Sequence, residues 1–363
     1  MKSQKTNWAL VTVAGALLVI GVVNLYSALS MWGEEGTSRL AWLQLAWIGI
    51  GALFTLTLSF SDYRVLERLA YLFYIISLLL VAASLFTGHT VYGHKSWLGL
   101  GGFGIQPSEF AKLATIIVMA RFFANNPNPE GFSFSELIKP TIVCAVPTAL
   151  VVLQKDLGSA LFFVLIFTSF AWFAKVQKRV ALLVIVASIF TCAAGYYYVL
   201  SDYQKARITT FLNPSYDVKG SGYHIAQSRI AVGSGQIWGK GYLKGNVNKL
   251  KYLPEKHTDF VFPVLAEEWG FAGCAVTLAL YYALLSMIIE LGRTARERFG
   301  TFLAVGIGAY FFWQIAINIG GVLGLMPLTG VTLPFLSYGG SSTITILVAI
   351  GLLLSISRKR FVF

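Results

Sequence analysis

The chain has 363 residues, of which 56% are apolar or aromatic and only 12% charged, about half the charged share of an ordinary soluble domain. With a mean hydropathy of +0.69, the apolar excess is more than one core can hide, because single cores stop growing at about 250 to 300 residues; a soluble enzyme, a disordered chain and a solenoid are all ruled out. The formal charge of +12 would suggest nucleic acid in a soluble protein, but in a chain whose main solvent is lipid the positions of the charges matter more than their sum, and no nucleic-acid partner is expected.

Apolar runs bounded by charges or turn residues fall at 8–30, 40–60, 69–86, 107–124, 140–155, 158–174, 180–200, 262–290, 301–324 and 336–357. At about 20 residues per crossing they predict an all-α, polytopic membrane protein of about ten transmembrane helices. The first run follows Lys2 and Lys5 and is too long for a signal-peptide core, so it reads as a crossing. An even number of crossings puts both termini on one side. If that side is cytoplasmic, the inner segments carry fifteen basic residues: Lys2, Lys5, Arg64, Arg68, Arg121, Lys139, Lys175, Lys178, Arg179, Arg293, Arg296, Arg298, Arg358, Lys359 and Arg360. The short outer segments carry four, Arg39, Lys95, Lys112 and Lys155, and this bias places both termini in the cytoplasm.

The remaining basic residues lie in 201–261, a large extracytoplasmic loop. The rest of the chain offers no repeat and no linker, so 1–363 reads as one membrane domain. Loops beyond about 15 residues are usually functional or disordered. This one has structure-forming residues: Tyr223–Val232 sets Ile225, Ala226, Ile230 and Ala231 among polar neighbours, the pattern of a short helix on the membrane surface. Cys144, Cys192 and Cys274 all fall in apolar stretches and offer neither a disulfide framework nor metal spacing.

The polar residues are then informative in chain order. Gln106-Pro107-Ser108-Glu109-Phe110-Ala111-Lys112 opens the fourth span; proline suits the first turn, and Glu109 and Lys112 share a face and can pair. They read either as a capping acid with a snorkelling lysine or as substrate contacts. Spans five and six meet at a polar turn, Gln154-Lys155-Asp156-Leu157-Gly158. Seven glycines lie between Gly220 and Gly245, followed by Lys249, Lys251 and Lys256. A dinucleotide fingerprint fails at Trp238, and a P-loop fails because Gly241 follows Lys240. Exposed amides with lysines nearby would still suit a diphosphate, against a plain solvated loop.

Asp259, the last residue but one of LPEKHTDF, leads into a long apolar helix. Either Thr258 or Asp259 caps that helix, or Asp259 is a carboxylate at the membrane boundary ready to accept a proton, with His257 beside it as a hydrogen-bonding residue. Glu267 and Glu268 lie further along the same helix. A lipid-facing charge there costs about 2.5 kcal/mol or more, so both are expected to face the bundle, as structural anchors or as catalytic groups. Asn318 and the glycines after it, then Ser337, Ser341 and Ser342, suit close helix packing or a polar cavity wall.

Taken together, QPSEFAK, QKDLGSA, GSGQIWGKG, LPEKHTDF with AEEWGFAG, and NIGGVLGLMPLTGVTLPFLSYGGSS resemble the SEDS family of bacterial shape, elongation, division and sporulation proteins over nearly the whole chain, and its elongation branch more than its division branch. Lys155, where the family usually has proline, and Ser159, where it usually has threonine, depart from the pattern. The resemblance implies a peptidoglycan glycosyltransferase of the bacterial cytoplasmic membrane that polymerises lipid II during cell elongation, with the essential aspartate at Asp259. It implies substrate contacts from Glu109, Lys112, Gln106, Ser108, Asp156, His257, Lys249, Ser337 and Ser341, and support from Glu267, Glu268 and Asn318. It further implies a divalent cation, Mg or Mn, with Asp259 one candidate ligand, and no organic cofactor. The partners implied are a class B penicillin-binding protein, whose transmembrane helix would pack on spans eight and nine, and other elongation-complex proteins.

The chemistry is coherent with these residues. The donor sugar already carries a diphosphate leaving group, so no glycosidase-type acid is needed. One base near the acceptor hydroxyl suffices, with cationic groups or amides on the departing diphosphate, and a single displacement inverts the anomeric centre. The alternatives are a lipid II flippase or transporter and a noncatalytic scaffold of the cell-wall synthase.

Overall fold

The computed structural model describes residues 7–30, 34–91, 94–99, 104–177, 179–180, 182, 205, 209–211, 221–245 and 257–359. In chain order the elements are α1 (Trp8–Leu29), α2 (Glu34–Phe60), α3 (Tyr63–Thr87), strands β1 (His89–Val91) and β2 (His94–Trp97), α4 (Pro107–Asn125), α5 (Phe134–Leu153), α6 (Leu157–Phe173), α7 (Ser221–Ser234), α8 (Val261–Thr294), α9 (Arg298–Val322) and α10 (Gly340–Lys359). Nine of the ten predicted spans are thus matched by helices, and the seventh, 180–200, lies outside the described residues apart from Val180 and Leu182. Among the described residues, seven helices are long and apolar enough to cross a membrane: α1, α2, α3, α5, α8, α9 and α10. The fourth span, α4, carries Glu109, Lys112 and Arg121, and α6 has only 17 residues. The short antiparallel β1–β2 ribbon is the one sheet among the described residues.

Several helix ends differ from the apolar runs, each for a local reason. Helix α3 starts at Tyr63, where Asp62 accepts the Arg64 N–H as its cap. Helix α5 starts at Phe134 because Ser133 and Glu136 form a reciprocal capping box, and it runs through Pro140 and Pro147. The last span begins at Gly340 rather than 336: residues 328–338 are an irregular segment folded into the bundle, where Leu333, Phe335 and Leu336 are buried. Non-helical backbone at that depth is tolerated only inside protein, and a Cβ on Gly21 of α1 would lie 2.1 Å from the Phe335 carbonyl. Lys155 sits at φ 65° just after α5, a conformation closed to proline, so in this chain the departure from the family proline coincides with a left-handed turn.

Helix α10 forms the centre: 94% of its most apolar window is buried, against 22% for α2. The two helices pack along most of their length, with Gly51 against Leu347 and Gly351 against Thr55. Helices α4 and α9 complete the buried middle. Phe123 of α4, Phe170 of α6 and Phe302 of α9 form a triangle of stacked rings, with Phe123 5.8 and 5.7 Å from the other two and those two 6.4 Å apart.

The long helix α8 is broken at Gly270, whose φ of 65° and ψ of −164° interrupt the ladder. In an unbroken helix the N–H groups of Phe271 and Ala272 would bond to the carbonyls of Glu267 and Glu268. Here the glycine loop inserts instead. Lys240 and Gly241 donate to those two carbonyls at 3.0 Å each, and Phe271 and Ala272 donate to Gln236 and Ile237 at 2.8 and 3.0 Å. All four orphaned groups are satisfied by one loop. The break leaves 261–269 as a separate buried half-helix, and its first residue follows Asp259 and Phe260.

Candidate active site

The starts of α4, α6 and α10 converge at one end of the bundle, the end that the charge count puts outside. Gln106, just ahead of α4, joins them: its Nε2 donates to Asp156 Oδ2 (3.0 Å), and its backbone N–H donates to Ser341 Oγ (2.7 Å). Asp156 Oδ1 accepts the Ser159 N–H at 3.0 Å and so caps α6. Gly158 lies against the Thr329 carbonyl, where a Cβ would approach to 2.3 Å, and the next glycine, Gly330, lies against Asp259, with its Cβ position 3.5 Å from Oδ2. Asp156, Gln106 and Ser341 are therefore connected through the 329–330 segment to Asp259.

Asp259 sits in the turn 257–260, partly exposed. Neither predicted capping residue caps α8. Its N-cap is Phe260, whose side chain makes no capping bond. The turn is fixed through its carbonyls instead. Tyr338 N–H donates to the His257 carbonyl (2.8 Å), Ser337 Oγ to that of Thr258 (2.6 Å) and Asn318 Nδ2 to that of Asp259 (3.1 Å). One residue beyond Phe260, Asn24 of α1 donates to the Val261 carbonyl at 2.8 Å. Ser337 also accepts the Leu333 N–H, and Asn318 also donates to Val331, so both belong equally to the irregular segment. His257 is buried and stacks obliquely on Tyr338. At about 1 kcal/mol net for each bond, the contribution to stability is modest. The effect on geometry is larger, because consecutive backbone units cannot shift without breaking several contacts.

Glu109 and Lys112 do pair, at 2.6 Å, deep among α4, α6 and α9. Tyr310 donates to Glu109 Oε2 at 2.9 Å, and Lys112 Nζ lies 4.7 Å from the centre of the Phe162 ring. The lysine is only 2% exposed, so it does not snorkel to the surface. Tyr310 and Asn318 are eight residues apart on α9, which separates this pair from the Asp259 turn by about 12 Å along the helix axis. Ser108, next to Glu109, is buried with no hydrogen bond from its hydroxyl among the described residues. Lys249 lies outside them.

Glu267 and Glu268 face inward as expected. Glu267 pairs with Lys240 of the glycine loop at 2.6 Å, and Glu268 accepts from Ser27 of α1 at 2.6 Å. Burial and the nearby charge of Glu268 push the Tyr242 phenol above its ordinary range, and Tyr242 donates to the Val23 carbonyl. The glycines here serve packing. A Cβ on Gly235 would sit 2.0 Å from the Ala266 carbonyl, and one on Gly239, at φ 77°, 2.1 Å from that of Glu268. The amides of Lys240 and Gly241 thus bond to α8, which corrects the reading of this stretch as an exposed anion cradle.

Sequence reasoning missed Asn24 and Tyr310, polar residues inside apolar spans whose partners lie hundreds of positions away. The described residues contain no group of three or more His, Cys, Asp or Glu able to bind a metal by themselves.

Three comparisons with known proteins bear on this geometry. The model of the FtsW, RodA and SpoVE family, described as cell cycle protein, matches residues 7–361. The chain belongs to the SEDS family. It is 35% identical to the peptidoglycan glycosyltransferase MrdB of Escherichia coli K12, over 99% of this chain and 97% of that one. In fold it matches a chain of a peptidoglycan synthase complex that coordinates polymerization and crosslinking, with a TM-score of 0.83, 31% identity and 98% of both chains covered. It also matches the rod shape determining protein RodA of Thermus thermophilus, with a TM-score of 0.71, 29% identity, and 99% and 98% covered. SEDS membership and the apolar helices make it a multi-pass protein of the bacterial cytoplasmic membrane.

Proposed function

We propose that this SEDS protein is a peptidoglycan glycosyltransferase that polymerises lipid II at the outer face of the membrane during elongation, with Asp259 as general base. The observation that carries the assignment is the Asp259 turn. Its carbonyls are fixed by Asn318, Ser337 and Tyr338 from two other elements. Asp259 itself is partly exposed at the start of α8, beside Gly330 and the Gln106–Asp156–Ser341 network. Asp259 takes the proton from the acceptor hydroxyl as that oxygen bonds to the anomeric carbon of the donor; the diphosphate leaves with the bonding pair, and the centre inverts.

A fixed carboxylate keeps the proton acceptor aligned without reorganisation, the part of the barrier that orientation lowers most. A divalent cation would take its ligands chiefly from the diphosphate and water, with a single protein carboxylate such as Asp259, and no step above passes through it. The partner proposed is a class B penicillin-binding protein, in line with the synthase complex that the fold matches.

The test uses purified full-length protein in detergent with lipid II and Mg or Mn, where no bilayer remains to flip across. Glycan strands are expected. Their absence even with the transpeptidase partner present would overturn the proposal in favour of a flippase or a scaffold.

A further inference from the structure

Asn318 makes its contacts with one end of its amide. Nδ2 donates to the carbonyls of Asp259 and Val331, while Oδ1 is buried with no partner among the described residues. One turn along the same face of α9 stands Gln314, 0% exposed, with neither Nε2 nor Oε1 in a hydrogen bond among the described residues. One turn further, Tyr310 donates to Glu109 of the Glu109–Lys112 pair.

Tyr310, Gln314 and Asn318 thus form a buried polar file at i, i+4 and i+8, about 6 Å from one residue to the next. A buried amide with unmet donors and acceptors is costly to stability. A leucine would fill the same space without that cost. The step between neighbouring turns suits one bridging water, which needs two to four polar partners, and Gln314 supplies both donors and acceptors. Nδ2 of Asn318 is turned toward the two carbonyls by their being acceptors, and a donor at Oδ1 would hold that orientation at its other end as well.

We infer that Gln314 is a positioning residue for Asp259: through a bridging water its amide donates to Asn318 Oδ1 and fixes the orientation in which Asn318 grips the Asp259 and Val331 carbonyls. The inference rests on Asp259 being the base, and it assigns the buried face of α9 a task beyond packing. Gln314 touches neither substrate nor reacting atoms and acts only through Asn318.

The test measures kcat and KM for lipid II polymerisation, together with thermal unfolding, on full-length protein carrying Gln314→Leu, Asn318→Ala, both together, or Asp259→Asn. Gln314→Leu should lower kcat on the order of tenfold and leave KM within twofold. Its unfolding midpoint should stay close to the parent's, because leucine fills the same space and a water-bridged amide adds little net stability. Asn318→Ala should lose at least as much kcat, and the double variant should lose no more than Asn318→Ala alone, the signature of two residues acting in series. If Asn318→Ala does not fold, Asn318→Ser takes its place in the cycle. A Gln314→Leu enzyme with the parent's kcat, a double variant whose loss is the product of the singles, or unfolding of both Gln314→Leu and Gln314→Met would each overturn the inference. Parent-like polymer from Asp259→Asn would instead sink the assignment of the base, so the two failures are told apart.

Discussion

The half-helix 261–269 is anchored at both ends, and the two anchors differ in kind. At its start, the turn bearing Asp259 is gripped mainly by side chains, Asn318, Ser337 and Asn24, together with the Tyr338 amide. At its end, the Gly270 break is closed by four backbone bonds to the glycine loop, with Glu267 and Glu268 answered by Lys240 and Ser27. Acidic residues at both ends look alike in the sequence. Those at the end are buried against Lys240 and Ser27, whereas the one at the start is partly exposed on a turn whose backbone is fixed from outside. A fixed backbone under a reachable carboxylate suits a catalytic base; a buried carboxylate bonded within the bundle suits an anchor.

The contrast can be broken by substitution, the largest effect first. Gly239→Ala would place a methyl 2.1 Å from the Glu268 carbonyl at a φ of 77°, and should cost about 3 kcal/mol or more, read as loss of folded, monodisperse protein after detergent extraction. Lys240→Met leaves Glu267, 1% exposed, charged without its cation, and should cost about 3 kcal/mol in unfolding measurements. Adding Glu267→Met should recover most of that loss, and polymer from the folded double variant should match the parent's.

Ser337→Ala removes the bond to the Thr258 carbonyl and should cost only about 1 kcal/mol. It should nevertheless lower kcat severalfold with KM unchanged, because it acts at the start of the half-helix. Gly233→Ala, where no atom lies within 4 Å of the added methyl, should be neutral or stabilise α7 by at most about 1 kcal/mol. A Gly233→Ala loss as large as that of Gly239→Ala would mean that the glycine-rich stretch does not serve to dock on α8.

Much of this was readable from the residues because lipid enforces simple rules. Charge-free runs of about 20 residues must be helices, and the matches between 8–30 and α1, 158–174 and α6, or 301–324 and α9 follow from that alone. The helix expected over Tyr223–Val232 appears as Ser221–Ser234, since its apolar spacing is local. What escaped depends on distant partners. Gly270 reads as one more small residue until Lys240 and Gly241 arrive to fill its broken ladder. Ser337 resembled a helix residue of the last span, yet the segment around it is irregular because its hydrogen bonds go to 257–259 and to its own turn. Capping by Thr258 or Asp259 was a fair local inference that Phe260 displaced once the turn was fixed from outside.

The most direct measurement is the polymer made from lipid II by Asp259→Asn, a substitution that keeps the shape and removes the basic oxygen. The account predicts a protein that extracts, unfolds and binds its transpeptidase partner like the parent while making no glycan strands. Strands of parent length and yield from that variant would show that the acceptor proton goes elsewhere, and would contradict the account.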